Sequence, residues 1–119
     1  ITASLSNGNI SLQKNLFNYA RLNFDFIFSA EHFKKYKPDQ IVYVGAVKML
    51  NLTAEQCALV ASHKGDLSAA AQIGMKTIYI NRESEYGSFK NEFEKEKFIP
   101  DLQISSFKNI LSNVNKLNY

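Results

Sequence analysis

Residues 58 to 80 run Ala58-Leu59-Val60-Ala61, then Ser62-His63-Lys64-Gly65-Asp66, then the helix-length stretch Leu67 to Ile73, a stop at Gly74, and Thr77-Ile78-Tyr79-Ile80. The first run is short, continuous and apolar, as expected of a strand covered on both faces. The last is rich in β-branched and aromatic residues and reads as a second strand. A strand, a polar loop, a helix and a strand in that order make a parallel crossover unit, since parallel neighbours need a long return connection.

The same alternation recurs upstream. Ile1 to Leu5 reads as a strand that ends in the polar turn Ser6-Asn7-Gly8-Asn9. A helix is expected next, with Leu12, Leu16, Phe17 and Ala20 forming its apolar face. Phe26-Ile27-Phe28 is another strand, and Glu31 to Lys37 a loop that ends at Lys37-Pro38. Proline biases Lys37 towards an extended backbone and is itself tolerated in a first helical turn. Asp39 to Leu50 is an amphipathic helix, and Thr53 with Gln56 a capping box. Downstream, residues 83 to 97 are charged and weakly periodic and are expected to be a mobile insertion. Leu102 to Ser105 is a candidate edge strand, and Phe107, Ile110, Leu111, Val114 and Leu117 keep helical spacing. Strict alternation of strand and helix predicts an open parallel α/β sheet with helices on both faces, within one core domain over residues 1–119.

Composition narrows the function classes. The chain is 45% hydrophobic and 21% charged, the balance of a globular unit. Its net charge is +3, from 14 basic against 11 acidic residues, and all the bases but Arg21 and Arg82 are lysines. They are scattered rather than striped, which argues against a nucleic-acid surface. No apolar run approaches the ~20 residues that cross a membrane. Cys57 is the only cysteine, so no internal disulfide forms, and a reducing, cytoplasmic setting is expected. Its apolar neighbours make it a buried structural thiol.

In parallel α/β sheets ligands gather at the carboxyl ends of strands, so the loops after the first and third strands are the places to look. Ser6 and Asn7, beside Gly8, offer a hydroxyl, an amide and backbone donors to an anion, although turns are often built from these same residues. Lys37 offers a positioned ammonium. Tyr43 lies one and a half helical turns on, and its phenol is within reach of that ammonium or is simply half-buried. Asp66 either caps the following helix or holds a lysine or metal. His63 is a candidate donor or base.

Taken together, the strand ending in Leu5-Ser6-Asn7-Gly8, the Tyr36-Lys37-Pro38, the Ser62-His63-Lys64-Gly65-Asp66-Leu67 loop and the closing Gly74-Met75-Lys76-Thr77-Ile78-Tyr79-Ile80-Asn81-Arg82 resemble the haloacid dehalogenase superfamily. The type II 2-haloacid dehalogenases are the nearest subgroup. The resemblance runs from Ile1 to about Arg82. It implies a Rossmann-like sheet and a hydrolase of small molecules, either 2-haloacids or phosphorylated compounds. It further implies that Ser6 and Asn7 bind the substrate carboxylate or phosphate, that Lys37 steadies a nucleophilic carboxylate, that Tyr43 lies beside Lys37, and that Asp66 holds Lys37 in place. His63 stands where relatives carry an asparagine that places water, and Ala61 where they carry a serine.

The family's first motif, Asp-x-Asp/Phe-Gly-Thr, has no match in the 119 residues, and neither has the helical cap that follows it. The chain also opens at Ile1 without a methionine, directly on a strand-like stretch. The expectation is therefore the back portion of a hydrolase core that lacks its first, central strand, with an intact parent that acts on carbon–halide bonds through an aspartyl ester. Without the nucleophile this chain alone is expected to be inactive. Metal-dependent phosphatases of the superfamily carry two acids in the loop where Asp66 stands alone, so no cofactor is expected. The alternatives are a phosphatase fragment with Mg²⁺ at Asp66, and a non-catalytic binding remnant. No nucleic-acid or membrane partner is expected, and a homodimer is left open.

Overall fold

The computed structural model describes residues 1–81 and 98–117, and the insertion expected at 83 to 97 lies outside the described residues. The chain divides into two compact units, Ile1–Asn51 and Leu52–Tyr119.

The first unit is built on a βαβ crossover. Strand β1 (Ala3–Ser6) leads into helix α1 (Ile10–Ala20), which returns to strand β2 (Phe26–Ser29). The strands pair in parallel from Ala3 opposite Phe26 to Ser6 opposite Ser29. Asn9 starts α1 by accepting the Leu12 N–H on its side chain at 2.7 Å. Arg21 ends it in the left-handed region at φ 56°, donating its N–H to the Asn18 and Phe17 carbonyls. Helix α2 (Gln40–Met49) follows, with the Asp39 side chain accepting from Ile41 N–H at 2.9 Å. Its inward residues are Val42, Tyr43, Ala46 and Val47. Gly45 on the same helix lets the Phe33 ring lie so close that a Cβ there would sit 2.5 Å from the ring.

One expectation for α1 is overturned. Leu12 and Leu16 are 60% and 58% exposed and Ala20 is exposed, whereas Gln13 is 4% exposed and Phe17 half-buried. Periodicity identifies which residues share a face. It does not say which face the rest of the unit covers.

The second unit holds strands β3 (Ala58–Ala61), β4 (Lys76–Ile80) and β5 (Leu102–Ile104), all parallel, with β4 in the middle. Helix α3 (Lys64–Gln72) makes the β3-to-β4 crossover. Gly74 at φ 98° takes the left-handed turn after it, at no steric cost to a residue without Cβ. Ile78, Ile80, Ile104 and Leu117 form the core, flanked by Val60, Leu102, Ile110 and Val114. The long helix suggested by spacing after 106 is instead one α-turn, Ile110–Asn113, between the 3₁₀ turns Phe107–Asn109 and Val114–Leu117. Cys57 is buried and burial pushes its thiol upward, as expected of a structural cysteine.

Both units thus belong to the open, parallel α/β class anticipated from strand–helix alternation. Among the described residues the strands form two sheets, β1-β2 and β3-β4-β5.

Candidate functional site

In the first unit the loop after β1 is tied down from three sides. Ser6 ends the strand, and its hydroxyl accepts the Gly8 N–H at 3.0 Å. That leaves the hydroxyl proton of Ser6 to be donated elsewhere. The Gly8 carbonyl accepts from Gln13 Nε2 and from Ser29 Oγ, each at 2.8 Å. Gln13 and Ser29 are both buried, and neither stood out in the sequence. Nothing local marked Gln13, an amide between Leu12 and Lys14-Asn15 that spacing alone reads as surface.

Asn7 does something that turn chemistry did not anticipate. Its Oδ1 accepts the Lys37 N–H at 2.7 Å while its Nδ2 donates to the Lys37 carbonyl at 3.3 Å. One side-chain amide therefore pairs with both backbone groups of a residue thirty positions away, much as a neighbouring strand would. Asn7 and Lys37 are thereby brought together, and the Lys37–Pro38 peptide that follows is cis. Nδ2 carries a second hydrogen, the one Asn7 has to offer a ligand. Tyr43 is fully buried in α2 rather than half-buried.

The second unit gathers the other candidates. Ser62, His63 and Asp66 line an open cavity of about 210 Å³ with Val60, Ala61, Ile80 and Phe107. It lies at the carboxyl ends of β3 and β4, where a parallel sheet places ligands. His63 is exposed, and Ser62 and Asp66 are half-buried. Asp66 is not the helix cap that its sequence position allowed. The helix begins earlier, at Lys64, with His63 as the capping residue, so Asp66 sits in the first turn. A carboxylate there is favoured by the helix dipole and lines the cavity. Lys64 turns away from this task, its ammonium 5.8 Å from the centre of the Tyr79 ring. Ile80 and Phe107 are wall residues that sequence reading missed, because they come from strand β4 and from the segment after β5. Among the described residues no group of three or more His, Cys, Asp or Glu is placed to hold a metal ion.

Comparison with known proteins returns one family. Residues 2–80 match the model of the haloacid dehalogenase-like hydrolases. An (S)-2-haloacid dehalogenase 4A of Burkholderia cepacia is 34% identical over 85 residues, which are 70% of this chain and 37% of the relative. An (S)-2-haloacid dehalogenase of Pseudomonas sp. strain YL is 31% identical over 111 residues, 92% of this chain and 45% of the relative. The crystal structure of the L-2-haloacid dehalogenase PA0810 superposes with a TM-score of 0.88 at 36% identity, covering 94% of this chain and 49% of that one. The chain therefore spans about half, or less, of the length of the proteins it matches.

Proposed function

The chain belongs to the haloacid dehalogenase-like hydrolases, and from that premise we propose that it is the back portion of an enzyme that releases halide from small 2-haloacids. In the intact parent, a carboxylate supplied from outside these 119 residues attacks C2 of the haloacid. The new C–O bond forms as the carbon–halide bond breaks, and halide leaves with the bonding pair. Water then cleaves the resulting ester at its carbonyl carbon, freeing a 2-hydroxy acid and regenerating the carboxylate. Two facts support the partial-chain reading: the match covers 37%, 45% and 49% of the three relatives compared, and no Asp-x-Asp/Phe-Gly-Thr stretch occurs in the sequence.

The observation that carries the proposal is the Asn7 amide fastened to the backbone of Lys37. It sets a hydroxyl, an amide and an ammonium-bearing residue around one loop, a donor set suited to a small carboxylate. In the proposed roles, Ser6 and Asn7 grip the substrate carboxylate and Lys37 neutralises the nucleophile. Tyr43 buttresses Lys37, Asp66 is the second catalytic residue, and His63 serves the water that cleaves the ester.

The test uses the intact parent and (S)-2-chloropropionate, with chloride release as the readout. Release that persists in EDTA is expected. Lys37→Met and Asp66→Asn are each expected to lower kcat/KM by about 100- to 1,000-fold. A parent that releases no chloride, but frees phosphate from phosphate esters only when Mg²⁺ is present, overturns the reading in favour of a phosphatase.

A further inference from the structure

A glutamine in the middle of a helix, 4% exposed, is an expensive choice for filling space. Leucine or methionine would fill the same volume without desolvating an amide, which costs about 1–3 kcal/mol when unpaired. Gln13 is fully used instead. Its Oε1 accepts from Ser4 Oγ at 2.8 Å, and its Nε2 donates to the Gly8 carbonyl at 2.8 Å and to the Phe28 carbonyl at 3.1 Å. Those partners lie on β1, on the loop after it and on β2. The same Gly8 carbonyl takes a second bond from Ser29 Oγ, a side chain with no exposure at all.

Two buried donors on one carbonyl hold the Gly8–Asn9 peptide plane in a single orientation, and the preceding Asn7–Gly8 peptide joins it at the Gly8 Cα. The Gly8 N–H is held by Ser6 Oγ, which decides where the Ser6 hydroxyl proton can point. Asn7, between them, can span the Lys37 backbone only if the loop keeps this course.

We infer that Gln13, assisted by Ser29, is a positioning residue: it aims Ser6 and Asn7 at the substrate carboxylate by anchoring the Gly8 carbonyl at the exit of their loop. The inference rests on the haloacid reading of that loop. Since Ser6 and Asn7 would hold the carboxylate in ground and transition states alike, a loss of aim raises KM more than it lowers kcat.

The experiment uses the intact parent, (S)-2-chloropropionate and two substitutions. Gln13→Met keeps the volume and removes all three bonds. Gln13→Glu still accepts from Ser4 but faces two carbonyls without a donor until it is protonated. In folded Gln13→Met, KM is expected to rise about 10-fold with a smaller change in kcat. Gln13→Glu is expected to recover towards wild-type KM as the pH falls, because the protonated carboxyl again donates to Gly8; wild type and Gln13→Met lack that trend. A purely structural glutamine predicts lower melting temperatures with unchanged KM, and that result overturns the inference. So does a Gln13→Glu pH profile parallel to wild type.

Should neither variant fold, the wild-type side-chain amide protons of Gln13 decide, followed by NMR while lactate, an unreactive 2-hydroxy acid, is titrated in. A saturable shift supports the inference, and no shift at saturation overturns it. A parent that binds lactate with that shift but releases no halide refutes the dehalogenase reading alone.

Discussion

At the scale of single residues, the Asn7 pairing with Lys37 has a consequence that can be read one amide at a time. The Lys37 N–H donates to Asn7 Oδ1 at 2.7 Å, so it is expected to exchange slowly with solvent although Lys37 is only half-buried. Asn7→Ala removes the acceptor, and Lys37 exchange is then expected to accelerate at least about 10-fold, the equivalent of about 1.4 kcal/mol of lost protection. Unchanged exchange would show that the loop holds without the clamp. Asp25 gives a pH-dependent case. Its carboxylate accepts the Thr2 N–H at 2.8 Å, and that bond holds its pKa below the usual carboxylate range. A depressed carboxylate contributes stability above its unfolded-state pKa and loses it as pH falls through the folded value. Urea unfolding followed into acid is therefore expected to show a shallower decline for Asp25→Asn than for wild type. Gly45 is governed by space: a Cβ would press on the Phe33 ring at 2.5 and 2.6 Å. Overpacking of about 1–3 kcal/mol outweighs the gain of about 1 kcal/mol in helix propensity. Gly45→Ala should lower stability by about 1 kcal/mol, and shrinking the partner with Phe33→Leu should recover part of it.

Among elements, the strand openings repeat one device. Thr2 at the start of β1 and Asp25 ahead of β2 bond reciprocally, Thr2 N–H to the carboxylate and Asp25 N–H to the Thr2 hydroxyl. Thr77 in β4 and Asp101 ahead of β5 do the same, at 2.8 and 3.1 Å. Each pair joins two adjacent parallel strands at their amino ends, the ends away from the loops that carry the candidate residues. β4, paired on both sides, is where loss of packing costs most. Ile78 is 2% exposed within the core of the second unit. Ile78→Ala is expected to cost about 2–5 kcal/mol in denaturant unfolding. Ile99→Ala, at 86% exposure, should stay within about 0.5 kcal/mol and serves as the control.

For the molecule as a whole, the described strands make a two-stranded and a three-stranded sheet. Among the described residues, β1 and β3 each pair along one edge only, and the other edge offers unpaired backbone groups to any strand that meets it. Leu12, Leu16 and Tyr19 on α1 add apolar side chains at 60%, 58% and 89% exposure. The isolated 119-residue chain is therefore expected to self-associate, with a sedimentation coefficient that rises with concentration. A monomer with a cooperative melt across that range would contradict this.

Much was legible in the residues themselves. Apolar runs bounded by polar turns located all five described strands, because a strand needs only a few consecutive residues of the right kind. Local chemistry placed the Thr53–Gln56 contact, seen as Gln56 Oε1 accepting the Thr53 N–H at 2.9 Å. The loop residues Ser6, Asn7, Lys37 and Asp66 were each ambiguous alone, since polar turns are built from such residues, and stood out only through the ordered motifs that resemble a known family. What the sequence could not decide was direction and partnership. Whether α1 turns Leu12 or Gln13 inward depends on what packs against the helix, and a heptad pattern carries no such information. Asn7 finding the Lys37 backbone, and two side chains meeting on the Gly8 carbonyl, join groups that are local in space and remote in sequence. Such hydrogen bonds exist only once the fold has brought their partners within 3 Å or so of one another.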